Sequence, residues 1–362
     1  HDICETELVR ERHVSLLSGV TVTHVGKMEE GGITTTPQLA ALDPRSAIAA
    51  NKWGLTPSLG ELFDVATQDP SIELSMLPKM SDKRLDKLEA IGIESTADLL
   101  SYDHATLAVP TYKLLADNID AARVDMHAGK YPFYPRGQSA PVIPRADVEI
   151  DFDVENDDVV YLFGAYITRK QPDGSYDKGE YISFHFFNRD DPKEEGRQLA
   201  AFWAWLHQQF DEAAANGKTA NVYCYSGKIA ELPRMREASI RNADVPGVPT
   251  PEEINELGAA AHWVDLYEIS KPLLWPTRRT GLKDVAKLAG FSWDASDAGG
   301  GNSIVWYQTA CGLIPGDAAG MQQKLLTYNE DDVKATLVLR NWLADGVAGN
   351  GWTLESVETL SN

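Results

Sequence analysis

The sequence predicts an α/β domain preceded by an all-α amino-terminal domain, and three observations carry that reading. From Asp147 to Glu155 five acids alternate with Val148, Ile150, Phe152 and Val154. Successive strand side chains point to opposite faces, so the carboxylates share one face and the apolar residues the other. After this strand the order reads strand, strand, helix, strand, helix, which is α/β. Residues 1–130 instead read as short helices and contain an internal repeat.

The repeat has an offset of sixty positions: Gly32-Ile33-Thr34-Thr35-Thr36 with Leu39 to Asp43 returns as Gly92-Ile93-Glu94-Ser95-Thr96 with Leu99 to Asp103. In each copy a helix ends at glycine and the next one starts at Thr36 or Thr96, whose hydroxyl can cap it. Lys79, Lys83, Arg84 and Lys87 give the second copy a basic edge. The Pro-, Gly- and aromatic-rich segment 131–140 reads as a linker.

The second domain spans 141–346. The strand at 147–155 turns at Asn156-Asp157-Asp158 into a strand over Val159–Thr168, and Gln171-Pro172-Asp173-Gly174 leads to a third over Glu180–Phe187, making an antiparallel meander. Leu199, Phe202, Leu206 and Phe210 recur at helical spacing. A strand over Thr219–Tyr225, a helix over Lys228–Arg241 and a fifth strand over His262–Tyr267 follow. A short helix covers Gly281–Ala289, another is capped by Ser303, and the last strong helix runs from Ala318 to Leu343. The first strand is expected to be central, and residues 347–362 read as a loosely held tail.

Composition narrows the function. Thirty-three Lys and Arg against 54 Asp and Glu leave a formal net charge of −21 over 362 residues. Such a surface repels nucleic acid at long range, which counts against a bulk DNA-coating protein and confines any nucleic-acid contact to a local basic groove. Cys4, Cys224 and Cys311 are scattered, giving neither a disulfide framework nor a zinc site, and a reducing cytoplasmic setting fits them best. No run of 18 apolar residues suggests membrane insertion. The chain begins at His1, as a processed product or a piece of a longer polypeptide does.

The chemistry concentrates in two places. Like charges two residues apart on a strand sit roughly 7 Å from one another, so the acidic row asks for bound cations or a solvated face. Far down the chain, Tyr328 and Asp332 in Tyr328-Asn329-Glu330-Asp331-Asp332 are i and i+4 on one helix face. Taken alone, each stretch is also explained as a solvated polar surface. Together, Asp153-Val154-Glu155 at the end of a first strand and Tyr328 with Asp332 on a late helix resemble the first and last motifs of Tyr-type DEDD exonucleases with an RNase H-like fold. The runs from Thr280 to Gly290, Ser303 to Tyr307 and Tyr328 to Thr336 resemble, more closely, the RNase H-like domain of predicted RecB-family nucleases, in which helix-hairpin-helix repeats precede that domain. The amino-terminal repeats are similar to such modules, though their hairpins mostly lack the family's glycines.

The resemblance implies a mixed five-stranded sheet flanked by helices and a metal-dependent nuclease, a 3′-5′ exonuclease on single-stranded or frayed DNA or RNA. It implies Asp153, Glu155, Glu231 and Asp332 as ligands of two Mg²⁺ or Mn²⁺ ions and Tyr328 as the residue that positions the attacking water. Glu231 stands where the broader class has Asp. Asp147-Val148-Glu149 also reads Asp-x-Glu; the later pair is preferred because the family's pair ends the strand. Lys283 would contact substrate phosphate, with Arg278 and Arg279 as ordinary solvated cations. An upstream nuclease domain or partner protein is also implied, and Cys4, without neighbours at ligand spacing, predicts no iron–sulfur cluster in this chain. A catalytically decayed scaffold that binds nucleic acid or a protein partner stays open as the alternative, favoured by the acidic charge, the glycine-poor hairpins and Glu231.

Overall fold

The computed structural model describes residues 8–42, 62, 66–77, 80–89, 93–101, 115–277, 279–294, 300–345 and 353–360. Cys4, Arg278, Lys79 and the side chains of Lys83, Arg84 and Lys87 lie outside the described residues. The chain divides into two units, one of residues 1–140, 273–279 and 354–362, the other of 141–272 and 280–353.

In the first unit the repeat is visible among the described residues, which leave out its Asp43, Gly92 and Asp103. Helices α1 (Val22–Glu30) and α2 (Thr36–Ala40) correspond to α3 (Asp82–Glu89) and α4 (Thr96–Ser101). The first copy buries Val14, Leu17, Met28, Ile33 and Leu39, and the second buries Leu74, Leu77, Leu88, Ile93 and Leu99, each sixty positions later. The amide of Ile33 bonds the Met28 carbonyl at 2.9 Å, and that of Ile93 bonds Leu88 at 2.9 Å. The caps lie one residue earlier than expected. Thr35 receives the Gln38 amide and Ser95 the Asp98 amide, because the capping residue must keep extended backbone before the helix starts. Thr36 and Thr96 are instead buried first residues of their helices, Thr96 donating to the Ile72 carbonyl. Helix α5 (Leu115–Met126) closes the first copy, its Arg123 guanidinium donating to the Ala40 and Leu42 carbonyls at 3.2 and 2.9 Å.

Two expectations at the unit's edges give way. The segment read as a linker contains strand β1 (Phe133–Tyr134), and the tail read as loose supplies its parallel partner, later numbered β7 (Glu355–Ser356). Phe133 and Val357 bury together with Val124, and that apolar contact holds both segments.

The second unit is a mixed five-stranded sheet flanked by helices. Strands β2 (Val148–Asn156), β3 (Val160–Arg169) and β4 (Glu180–His185) form the antiparallel meander, and β5 (Ala220–Cys224) and β6 (Trp263–Asp265) add in parallel on the other side of β2. The order β4-β3-β2-β5-β6 makes β2 central. Its apolar side, Val148, Ile150 and Phe152, packs on α6 (Glu194–Ala215), α7 (Glu231–Arg241) and α8 (Pro251–Ala259) through Leu199, Phe202, Leu206, Met235, Ile254 and Leu257. Phe152 and Phe202 stack at 4.7 Å between centroids. After β6 come α9 (Leu266–Ser270), α10 (Leu282–Leu288), α11 (Gly300–Ala310) and α12 (Ala318–Asp345). Ser303 is a buried residue inside α11, which begins before it, so it does not cap that helix.

The acidic side of β2 is buried too, by α12. Glu149 and Asp151 are 1% and 0% exposed, and Arg340 of α12, also 0% exposed, lies between them. Its guanidinium forks onto Asp151 at 3.1 and 2.8 Å, bonds Glu149 and sits 4.3 Å from the Tyr223 ring centroid. Arg145 adds bonds of 2.9 and 3.2 Å to Glu149. Asp147 is half-buried and binds Thr219 instead. Removing one partner of a buried pair strands the other's charge, so Arg340→Leu is expected to cost about 3–5 kcal/mol in chemical denaturation. Replacing Arg340, Glu149 and Asp151 together with apolar residues should return most of that stability; an equal loss in both variants would refute the ionic account.

Candidate active site

Beyond Asp151 the same strand face carries Asp153 and Glu155, which no arginine among the described residues meets. Asp153 pairs across the sheet with Gly164 of β3, and Glu155 sits where the β2–β3 register shifts, at the carboxyl end of the strand. Helix α12 crosses this end and delivers Asp332. One carboxylate oxygen from each of Asp153, Glu155 and Asp332 lies within 4.8 Å of the other two, close enough to share one metal ion. The structure thus brings together three of the four acids expected to bind metal.

Glu231 reaches the cluster through Asp153. It is the first residue of α7, three residues later than the helix was expected to begin, because 226–230 form a clamped loop. Ser226 has φ +71°, a costly region for a residue with a Cβ. Asp265, at the end of β6, holds that loop by accepting the amides of Ser226 and Lys228 at 3.0 and 3.1 Å. Glu231 is 3% exposed and hydrogen-bonds with the Asp153 carboxyl, while its Oε2 is buried without a protein partner among the described residues. A buried carboxylate oxygen left unpaired is costly, and a cation would satisfy it.

Tyr328, one turn before Asp332, is buried edge-on to Trp306 with ring centroids 5.6 Å apart. Its hydroxyl accepts a hydrogen bond from the Lys283 ammonium, whose Nζ is also 4.3 Å from the Tyr328 ring centroid. Lys283 is therefore part of the acidic cluster. Arg279 belongs to the other unit.

The surroundings orient each acid. Asn329 Nδ2 donates to Asp153 Oδ2 at 2.9 Å, and Trp293 Nε1 donates to Asp332 Oδ1 at 2.6 Å. Ser303 hydrogen-bonds Glu155, while the buried Tyr161 hydroxyl beside it has no hydrogen-bond partner among the described residues. None of these was foreseen. Asn329 is inside the Tyr328–Asp332 run and was the most accessible signal; Trp293 stands in a loop with no periodicity to mark it.

Burial governs the electrostatics. Desolvation raises Asp153 well above the ordinary carboxylate range, with Glu155, Asp332 and Glu231 pushing the same way. Glu155 is pushed up to about 8 by burial and by Asp332, against the pull of Lys283. Glu231 is pushed up to about 8, mainly by burial. Asp332 is raised by burial, partly offset by Lys283 and by its bond from Trp293. Burial and the neighbouring acids raise Tyr328 as well, so its phenol keeps its proton. Crowded, desolvated carboxylates without a matching arginine are a donor set for hard divalent cations.

The family model of the RNase_H superfamily matches residues 147–344. That span covers more than half of the chain and takes in every residue of the acidic cluster, and the chain belongs to this superfamily. No curated protein matches the sequence. Membership implies a phosphodiester hydrolase of the nuclease type, acting on nucleic acid with divalent metal, and the acidic cluster agrees with it. No helix among the described residues is long and apolar enough to cross a membrane.

A pH dependence follows. Glu155 has an ordinary value of 4.5 and a folded value near 8, so between those pH values the folded protein holds a proton that the unfolded chain has lost. Its contribution to stability is complete below about pH 4.5 and disappears as pH rises through 8. Without metal, Glu155→Gln should therefore gain in melting temperature relative to the parent as pH rises from 5 to 9. Added Mg²⁺ should reverse the order by stabilising the parent alone, most strongly at the high end. A difference that does not change with pH would contradict the assignment.

Proposed function

We propose that the chain is a two-metal exonuclease of the Tyr-type DEDD kind, acting in the 3′-5′ direction on single-stranded or frayed DNA or RNA. The observation that carries this is the convergence of Asp153, Glu155 and Asp332 on one point, with Glu231 against Asp153 and Tyr328 against Asp332. These residues come from an early strand, a mid-chain helix and a late helix, and a solvated polar surface would not assemble them.

Asp153, Glu155 and Asp332 would hold one ion, and Asp153 with Glu231 a second. Bound there, Mg²⁺ or Mn²⁺ supplies Lewis-acid stabilisation of the attacking and leaving oxygens in an in-line displacement at phosphorus. The chain's own groups do the rest. Tyr328, its proton retained, donates a hydrogen bond that orients the attacking water. Lys283 meets a non-bridging phosphate oxygen and balances part of the local negative charge. Glu231 stands where the broader class has Asp, and its place against Asp153 supports counting it in the set. The amino-terminal repeats, on this reading, are helix-hairpin-helix modules of a RecB-family protein, and they engage nucleic acid or a partner.

The test is degradation of an end-labelled single strand with Mn²⁺. Asp153→Asn and Asp332→Asn should each lose more than the roughly 10- to 100-fold that removal of an outer partner costs. Glu231→Gln should lose less than either. A parent protein that leaves the strand intact while showing no metal-dependent rise in melting temperature would establish the decayed scaffold instead.

A further inference from the structure

Asn329 has no part in the reading above, yet it is a fully buried polar side chain next to Tyr328. Its amide joins two elements of the sheet to α12. Nδ2 donates to Asp153 Oδ2 at 2.9 Å, and Oδ1 accepts from the Tyr181 hydroxyl of β4 at 2.8 Å. The Asp153 carboxylate, which can only accept, determines that the amide nitrogen faces it, and the Tyr181 hydroxyl then holds Oδ1 by donating to it.

Strand β3, between β2 and β4, makes room for this. Gly164 pairs with Asp153 on one side and Ser183 on the other. A Cβ at 164 would lie 1.6 Å from Asn329 Oδ1 and 2.7 Å from its Cγ, closer than atoms can approach. Gly164 is not among the glycines with positive φ, so its backbone does not require glycine. The space does. A glycine in mid-strand otherwise weakens a sheet, and here it marks a close approach.

We propose that Asn329 is the positioning residue for Asp153, oriented by Tyr181 and housed by Gly164. A carboxylate on a strand can rotate about its terminal bond. The amide at Oδ2 fixes its plane, and with it the directions in which its remaining lone pairs could meet metal. Outer partners of this kind set ligand orientation and hence affinity. The proposal rests on the metal-binding role of Asp153.

Mn²⁺ titration of the full chain, read by electron paramagnetic resonance alongside thermal unfolding, tests it. Asn329→Ala should weaken Mn²⁺ binding roughly 10- to 100-fold, and on a labelled strand it should lower kcat with little change in KM. Asn329→Asp, with the same shape and no donor, should fall at least as far. Tyr181→Phe should shift binding in the same direction by less. Gly164→Ala should lose both stability and affinity, because the methyl group expels the amide. The double variant G164A/N329A removes that clash, so it should regain stability while Mn²⁺ affinity stays low. Recovery of affinity along with stability in the double variant, or parental affinity in Asn329→Ala, would show that Asn329 only fills space and would overturn the proposal. If Asp153→Ala itself keeps parental Mn²⁺ affinity, the metal site is wrongly assigned and the positioning role falls with it.

Discussion

The second unit depends on one buried guanidinium. Arg340 enters the sheet from α12 and meets Glu149 and Asp151, all three buried. Desolvating three charges offsets most of what their attraction contributes, so the network adds little net stability beyond an apolar core. Its effect is geometric. The fork on Asp151 determines how far along β2 the helix sits, and Asp332 stands eight residues before Arg340, about 12 Å along the axis at 1.5 Å per residue. Slipping the helix by one turn would displace Asp332 by about 5.4 Å, more than the 4.8 Å within which the three acids now meet.

The strand changes character along its length for a related reason. Glu149 and Asp151 meet permanent cations, which neutralise them and make them structural. Asp153 and Asp332 are bonded by neutral donors from Asn329 and Trp293, and Glu155 by Ser303. Neutral donors orient a carboxylate without cancelling its charge. Lys283 offsets only part of what remains. The upper half of one row of acids is thereby left in need of added positive charge, and the lower half is not.

Much of this was legible in the residues. The alternation of Asp147 to Glu155, the turns after Asn156 and Gln171 and the apolar spacing from Leu199 to Phe210 specify the meander, its first helix and a central first strand. A strand's two-residue period and a helix's 3.6-residue period are properties of backbone geometry alone. The sixty-residue repeat was equally plain, and its copies bury matching side chains. Boundaries were less visible. Thr35 rather than Thr36 caps because of the local backbone, in a capping box with Gln38, and α7 starts at Glu231 rather than Lys228 because Asp265 clamps Ser226 from a distant part of the chain. The tail paired with β1 for the same kind of reason, since two residues of strand show no pattern of their own.

By itself the sequence determined which residue types lie on which side of each element, and the resemblance of its motifs to a known family implied that Asp153, Glu155, Tyr328 and Asp332 form a cluster. Only the tertiary structure decided which acids of the row stay available. That choice depends on where Arg340, Asn329, Trp293 and Gly164 come to rest, and each acts across 11 or more residues of sequence through a contact of a few ångströms. Periodicity records the direction in which a side chain points. What it meets there is set by the packing of another element, and no local pattern encodes that.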